Sequence, residues 1–134
     1  RPIPLIQEMG PPAPYSTCLE DVEQLTSILQ AALNELASGT PNPVFEAGIV
    51  HTAIRDIAMS ASWHYSERPD FSTAAPYHLP APCPLPIDAY RVTMRARHAS
   101  TRGFKAPEHL CWAIHHLTSC DFTGWITKLK GPIA

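Results

Sequence analysis

The sequence predicts an all-α protein: a single domain of four to five helices with a proline-rich N-terminal arm and a long proline-rich connection. Apolar residues recur at helical spacing in several segments, whereas no segment alternates apolar and polar residues as a strand does. The prolines cluster between these segments. A chain of 134 residues, 45% of them hydrophobic, is long enough to bury a core without disulfides. We place the arm at residues 1–15 and the helical core domain at residues 16–134.

The first fifteen residues predict an extended arm. Proline, which fixes φ and lacks an amide hydrogen, occupies five positions there: Pro2, Pro4, Pro11, Pro12 and Pro14. The arm is also apolar through Ile3, Leu5 and Ile6. Because an apolar extended segment seldom lies free in water, we expect the arm to pack on a neighbouring subunit rather than on its own core.

The first helix is predicted near residues 18–38. Thr17 and Glu20 have the spacing of a capping box, in which each side chain bonds the backbone amide of the other residue. Apolar residues then follow at helical spacing: Val22, Leu25, Leu29, Leu33 and Leu36. Gly39 ends the helix, because glycine adopts a positive φ without steric cost.

A second helix is predicted near residues 43–65, with Pro43 in its first turn. Its inner stripe is formed by small and aliphatic residues: Val50, Ala53, Ile54, Ile57, Ala58 and Ala61. Gly48 has no side chain, so we expect a neighbouring helix to approach closely at this position.

The connection at residues 67–86 contains six prolines. Four of them alternate with other residues: Pro80, Pro82, Pro84 and Pro86. Alternating prolines exclude a helix and favour extended backbone. We therefore expect a stiff strap that wraps a surface or belongs to a binding site, since so long a connection is unusual in a compact domain.

Three more helices are predicted. The third lies near residues 87–102, and the fourth lies near residues 106–119 with Pro107 in its first turn. A last short helix is capped by Asp121 and extends to Lys130.

The two tryptophans of this region are expected in the core. Trp112 shares its predicted helix with apolar residues at compatible spacing: Leu110, Ile114 and Leu117. Stacking of Trp112 and Trp125 on nucleic-acid bases is the alternative.

The charge is divided unequally between the halves of the chain. Residues 1–67 hold two arginines and eight acidic residues, whereas residues 68–134 hold eight basic and four acidic residues. Five of the ten Lys and Arg residues fall within residues 87–105. Such asymmetry indicates an acidic half that faces solvent or a neighbouring subunit and a basic half that faces an anion; scattered surface charge is the alternative.

The candidate RNA-binding residues lie on the third predicted helix and just after it: Arg91, Arg95, Arg97, His98, Arg102 and Lys105. Four of them, spaced i, i+4, i+7 and i+11, share one helix face, and Arg97 and Lys105 flank it. Like charges at this spacing repel, so a polyanion or acidic residues of the domain should compensate. Arginine favours phosphate because its planar fork bonds two oxygens at once. The alternatives are a solvated basic face and an ion pair between Arg102 and Asp121.

The sequence predicts no catalytic site, no metal site and no cofactor. The cysteines form no C-x-x-C pair and are expected to be reduced: Cys18, Cys83, Cys111 and Cys120. A metal would have to be held by residues that lack known metal-site spacing: His109, Cys111, His115, His116 and Cys120. Cys111 with a histidine is the one nucleophile–base candidate, and no local signature supports it. We expect neither an enzyme nor a membrane-spanning segment.

One ordered set of residues runs through the C-terminal half: Arg102, Phe104, Ala106-Pro107, Trp112, Leu117 and Trp125. This order resembles a motif of the coat proteins of flexuous filamentous plant viruses, the potexvirus-like group. The start of the first helix at residues 19–22 and the helix at residues 44–65 are similar to the first core helices of that family. The resemblance spans about residues 18–125.

The chain departs from the family pattern at Phe122-Thr123-Gly124-Trp125, where the family has Pro-Pro-x-Asn-Trp. Ala106-Pro107 also follows Phe104 more closely than in the family. A second register aligns residues 103–105 and 107–109 with a later family segment.

The resemblance implies a coat or nucleocapsid subunit that polymerises helically and buries single-stranded RNA in a positively charged channel. Such a subunit is found in the virion or in the host cytoplasm. It also implies a homo-oligomer in which the N-terminal arm docks on the next subunit. The alternative expectation is an all-helical protein–protein interaction module, a viral or fungal accessory factor without nucleic acid.

Overall fold

Five α-helices and two short 3-10 helices form the described part of the chain, which contains no β-strand. The computed structural model describes residues 18–65, 72, 74–79 and 86–131. In chain order the elements are α1 (Cys18–Ala37), α2 (Pro43–Tyr65), a first 3-10 helix (Ala75–His78), α3 (Ile87–Arg102), α4 (Glu108–His115), a second 3-10 helix (His116–Ser119) and α5 (Phe122–Lys130). All five α-helices contribute to one core, so the prediction of an all-α single domain is confirmed. The predicted arm at residues 1–15 lies outside the described residues.

Helix α2 lies at the centre of the fold, where it contacts α1, α3, α4 and the first 3-10 helix. Its predicted inner stripe is buried: Val50, Ala53, Ile54, Ile57, Ala58 and Ala61. Ala47, His51 and Ser62 are buried as well, so neighbours enclose α2 on more than one side.

Gly48 marks the point where α3 comes closest to α2. A Cβ atom on Gly48 would lie 3.3 Å from the Cα atom of Arg97, which is tighter than ordinary van der Waals contact. The missing side chain therefore permits the close approach of the two helices, as predicted.

Helix α1 packs along α2 after a short connection at residues 38–42. The predicted apolar stripe faces the core, fully buried or packed partly buried against it: Val22, Leu25, Leu29, Leu33 and Leu36. Gly39 has a φ of +83° and ends α1, as predicted. Thr17 of the predicted capping box lies outside the described residues.

The inner side of α3 is buried through Ala89, Tyr90, Thr93, Ala96 and Ala99. Tyr90 stacks on His51 of α2, with ring centroids 5.0 Å apart, and Tyr77 meets Tyr90 edge-on at 5.6 Å. An aromatic cluster therefore joins α2, α3 and the first 3-10 helix.

The first 3-10 helix falls within the connection for which the sequence predicts an extended strap, so that prediction is wrong at residues 75–78. Pro76 lies in the first turn of this helix, where its fixed φ and missing amide hydrogen cost nothing. Ala75 and Pro76 are buried, which holds the turn against the domain. The alternating prolines at positions 80, 82 and 84 lie outside the described residues.

Helix α4 is shorter than the predicted helix at residues 106–119. It begins at Glu108, because Pro107 has an extended ψ of 153° and serves as the N-cap. Beyond His115 the backbone tightens into the second 3-10 helix, where the Ser119 hydroxyl donates to the carbonyl of His116 at 3.0 Å. Such local side-chain bonds compete with helix continuation.

Helix α5 begins where the sequence predicts. The Asp121 carboxylate accepts a hydrogen bond from the backbone amide of Gly124 at 2.9 Å and caps the helix. A Cβ atom on Gly124 would collide with that carboxylate, so glycine makes room for the cap. The helix buries Phe122, Trp125, Ile126 and Leu129.

Candidate nucleic-acid interface

The side of α3 opposite the core carries four of the predicted basic residues. We call it the outer basic face, formed by Arg91, Arg95, His98 and Arg102. All four side chains are exposed, because the helical period directs them away from the buried inner side. The structure thus places these four residues on one exposed surface.

Among the residues that the structure describes, one acidic group lies within ion-pair distance of this face. Arg91 Nη1 lies 3.7 Å from Asp88 Oδ1, but the two side chains are 64% and 100% exposed, so water and salt screen the pair. Among the described residues, no carboxylate lies within ion-pair distance of Arg95, Arg102 or Lys105. The predicted alternative of an Arg102–Asp121 ion pair is wrong, because the Asp121 carboxylate caps α5 instead.

A tight turn at the end of α3 determines where Phe104 lies. Gly103 has a φ of +69°, its amide donates to the carbonyl of Ser100 at 3.4 Å, and the amide of Phe104 donates to the carbonyl of Ala99 at 2.9 Å. These two bonds form a Schellman motif, which fixes the residue after the glycine beside the last helical turn. The Phe104 ring meets His98 edge-on at 5.9 Å and remains 61% exposed.

A groove of about 730 Å³ opens between the C-terminal half of α3 and the start of α4. We call it the basic groove. Its charged and polar lining residues are Arg95, His98, Lys105 and His109. Its apolar lining residues are Met94, Ala99, Phe104, Pro107 and Leu110. A ligand lying there meets cationic groups and an apolar, partly aromatic surface at the same time.

The structure brings together most, but not all, of the six predicted binding residues. Arg95, His98 and Lys105 line the basic groove, whereas Arg91 and Arg102 belong to the outer basic face without lining the groove. Arg97 is exposed but lies at another edge of α3, with its stem over Gly48 of α2.

Phe104 and His109 were not among the predicted binding residues, although both line the basic groove. The sequence Arg-Gly-Phe carries a signal for Phe104, since a glycine that ends a helix fixes the position of the next side chain. His109 has no comparable signal, because only the fold of α4 against α3 brings it to the groove.

Trp112 is the clearest error of the sequence interpretation, because it is 66% exposed rather than in the core. Helix α4 buries Leu110 and Ile114, and Trp112 lies between them in sequence and so faces the other way. The centroids of the Trp112 and His116 rings lie 4.1 Å apart, and Trp112 lines a groove of about 250 Å³. Trp125, by contrast, is only 2% exposed, as predicted.

The cysteines of this region bond to nearby carbonyls. The Cys111 thiol donates to the carbonyl of Ala106 at 3.9 Å, and the Cys120 thiol donates to the carbonyl of His116 at 3.8 Å. Burial raises the pKa of the Cys120 thiol, which disfavours the reactive thiolate. Within the described part of the chain, no group of three or more His, Cys, Asp or Glu residues is placed to hold a metal ion.

His51 is a buried polar residue that the sequence interpretation did not identify. It is 2% exposed, and its Nδ1 has no hydrogen-bond partner among the described residues. The pKa of His51 is lowered from 6.5 to about 4, first by burial and then by the nearby cations Arg55 and Arg97, against a smaller opposing effect of Asp56. His51 is therefore a neutral core residue at physiological pH.

Among the described residues, no helix combines the length and the apolar character that crossing a lipid bilayer requires. Comparison of the chain with protein-family models, with curated proteins and with solved structures gives no match.

Proposed function

We propose that the chain is a coat or nucleocapsid subunit that binds single-stranded RNA, without sequence preference, through the outer basic face of α3. The observation that carries this proposal is the set of exposed cations on α3 and the following turn, of which only Arg91 has a described carboxylate within reach. The motif that resembles the flexuous-virus coat proteins includes Arg102 and Phe104, which supports the same assignment.

Phosphate is the anion that suits this face best. Arg91 and Arg95 are four residues apart, and like charges at that spacing destabilise a helix by a few tenths of a kcal/mol. A bound polyanion removes this repulsion and is held bidentately by the guanidinium groups. Because phosphates are the same along every strand, contacts of this kind give affinity without sequence preference.

A few phosphate contacts per subunit give modest affinity, so the proposed function includes self-association, which adds the contacts of many subunits along one strand. We assign residues 1–15 to this role. Their five prolines favour the extended conformation that docks on exposed aromatic rings. Trp112 of a neighbouring subunit, with the groove beside it, offers such a ring.

Purified protein tests the proposal directly. We expect nucleic acid to copurify, with a raised ratio of absorbance at 260 nm to that at 280 nm that ribonuclease lowers, and rods in electron micrographs. Deleting residues 1–15 should leave a folded monomer. Clean protein of fixed small size, or unchanged assembly after the deletion, contradicts the proposal.

A protein–protein interaction module without nucleic acid is the second candidate. The exposed Trp112 favours it, since large aromatic residues are enriched at protein interfaces. This candidate predicts nucleic-acid-free protein and no RNA affinity that depends on the charge of Arg95.

A further inference from the structure

We propose that the basic groove is a base-binding subsite, in which one base of the bound strand lies on the Phe104 ring while the flanking phosphates contact Arg95 and Lys105. This inference rests on the proposed function and deepens it. The proposed function places the phosphates of the RNA on the protein, and the subsite also places one of its bases. It also assigns a ligand to Phe104, which the phosphate contacts alone leave without a role.

The position of Phe104 is the first argument. A single exposed aromatic side chain is common and needs no explanation. Phe104, however, is fixed by the backbone bonds of the Schellman motif and supported from one side by the edge-on contact with His98. The backbone thus fixes where the Phe104 side chain leaves the chain, and 61% of the residue stays exposed, so its ring offers a surface on which a flat ring can stack.

The lining of the groove is the second argument. Arg95 and Lys105 carry positive charge, and no acidic residue is among the described residues that line the groove. Met94, Ala99 and Leu110 add apolar surface. The matching ligand has an anionic part and a flat, largely apolar part joined together, which is the chemistry of a nucleotide. An apolar peptide helix would leave the two cations without partners.

The size and shape of the groove are the third argument. A volume of about 730 Å³ lies within the range of about 300–1,000 Å³ that small-molecule sites occupy. The groove is open rather than enclosed, so a continuous strand can enter and leave it. A base within a duplex is stacked on both sides and cannot reach Phe104 without unpairing.

The subsite therefore predicts a preference that phosphate contacts do not give. Binding through phosphates alone favours a duplex over a single strand, because the duplex has the higher charge density. Stacking on Phe104 adds affinity only for a strand whose bases are free. Single-stranded RNA should bind more tightly than a duplex of equal length, and the preference should depend on the Phe104 ring.

The test is a cycle of two proteins and two oligonucleotides. The proteins are the wild type and Phe104→Leu, which keeps an apolar side chain but removes the flat ring. The oligonucleotides are an oligouridine of about eight nucleotides, which is within the usual site size, and an abasic strand with the same number of phosphates. We expect Phe104→Leu to weaken oligouridine binding about tenfold, to leave abasic binding unchanged and to keep the same salt slope. Phe104→Trp, which retains a flat ring, should restore the affinity.

Equal oligouridine affinity of Phe104→Leu and wild type overturns the subsite, while a salt-dependent affinity shared by both proteins leaves the proposed function intact. Failure of the wild type to bind either strand removes the proposed function together with the subsite. If Phe104→Leu changes self-association but not RNA affinity, the groove is a protein surface and the subsite is wrong. Circular dichroism and a thermal melt of both variants show that folding is unchanged.

Discussion

Within the described part of the chain, two contacts between a histidine and an aromatic ring involve helix α3, one on each side of it. On the inner side, Tyr90 stacks on His51 at 5.0 Å, and both residues are almost fully buried. On the outer side, Phe104 meets His98 edge-on at 5.9 Å, and both residues are exposed. The two pairs are chemically similar, but one is enclosed by α2 and the first 3-10 helix and the other faces water.

The difference shows how one short helix separates folding from binding. The inner pair fills the space between α2 and α3 and forces His51 to remain neutral. The outer pair contributes little packing, so its ring and imidazole are available to a ligand. Burial, rather than the type of residue, decides which role each pair has.

The largest effect should come from truncating the buried aromatic ring. Tyr90→Ala should lower the free energy of unfolding by about 3–5 kcal/mol, because it removes a fully buried ring and leaves a cavity. Phe104→Ala, the matched change on the outer side, should alter it by less than about 0.5 kcal/mol. Denaturant titrations of the two variants measure both values. Similar losses would show that the outer ring is also part of the core.

The two histidines should differ in their effect on stability at acid pH. The pKa of His51 is lowered from 6.5 to about 4 in the folded protein, so the unfolded chain binds a proton first. The contribution of neutral His51 to the free energy of unfolding is complete above pH 6.5. It decreases by up to about 3 kcal/mol as the pH falls towards 4. We expect His51→Phe to remove this slope in denaturant titrations between pH 7 and pH 4.

The control for that titration is His98→Phe, which should retain the wild-type slope because His51 and its surroundings are unchanged in it. The groups facing His51 are Arg55, Arg97 and Asp56, and all three are present in both variants. A slope that survives His51→Phe would assign the acid sensitivity to another group.

The contrast between packed and exposed groups extends to two aspartates. Asp121 accepts a hydrogen bond from Gly124 and caps α5, so Asp121→Ala should lower the free energy of unfolding by about 1 kcal/mol. Asp88, whose side chain is fully exposed beside Arg91, should tolerate the same change without a measurable shift in melting temperature. Thermal melts compare the two; equal shifts would contradict the assigned role of Asp121.

The sequence predicts the packed parts of this molecule well because packing leaves periodic signals. The stripe from Val22 to Leu36 and the small residues of α2 follow the helical period, and both face the core. Asp121 also acts as the predicted cap, since capping depends on residues close in sequence.

The candidate site is less predictable because it depends on how helices meet. The spacing of Arg91, Arg95 and Arg102 places them on one face, as observed. Trp112, however, faces outward because it lies two residues from both Leu110 and Ile114, on the opposite side of α4, and its apolar character misled the sequence interpretation where its spacing did not. The position of His109 at the basic groove follows from the turn between α3 and α4, which sequence spacing alone does not define.

A salt titration of homopolymer RNA binding tests the central claim, that the outer basic face contacts phosphates, most directly. Each phosphate contact releases counterions, so the slope of log K against log salt is about −0.7 per contact on a single strand. Arg95→Ala should weaken binding to every homopolymer about equally and flatten the slope by about 0.7, without changing the melting temperature. Arg97→Ala, which removes the same charge from another edge of α3, should leave the slope unchanged. An unaltered affinity and slope in Arg95→Ala, or equal losses in both variants, would contradict the assignment of RNA to this face.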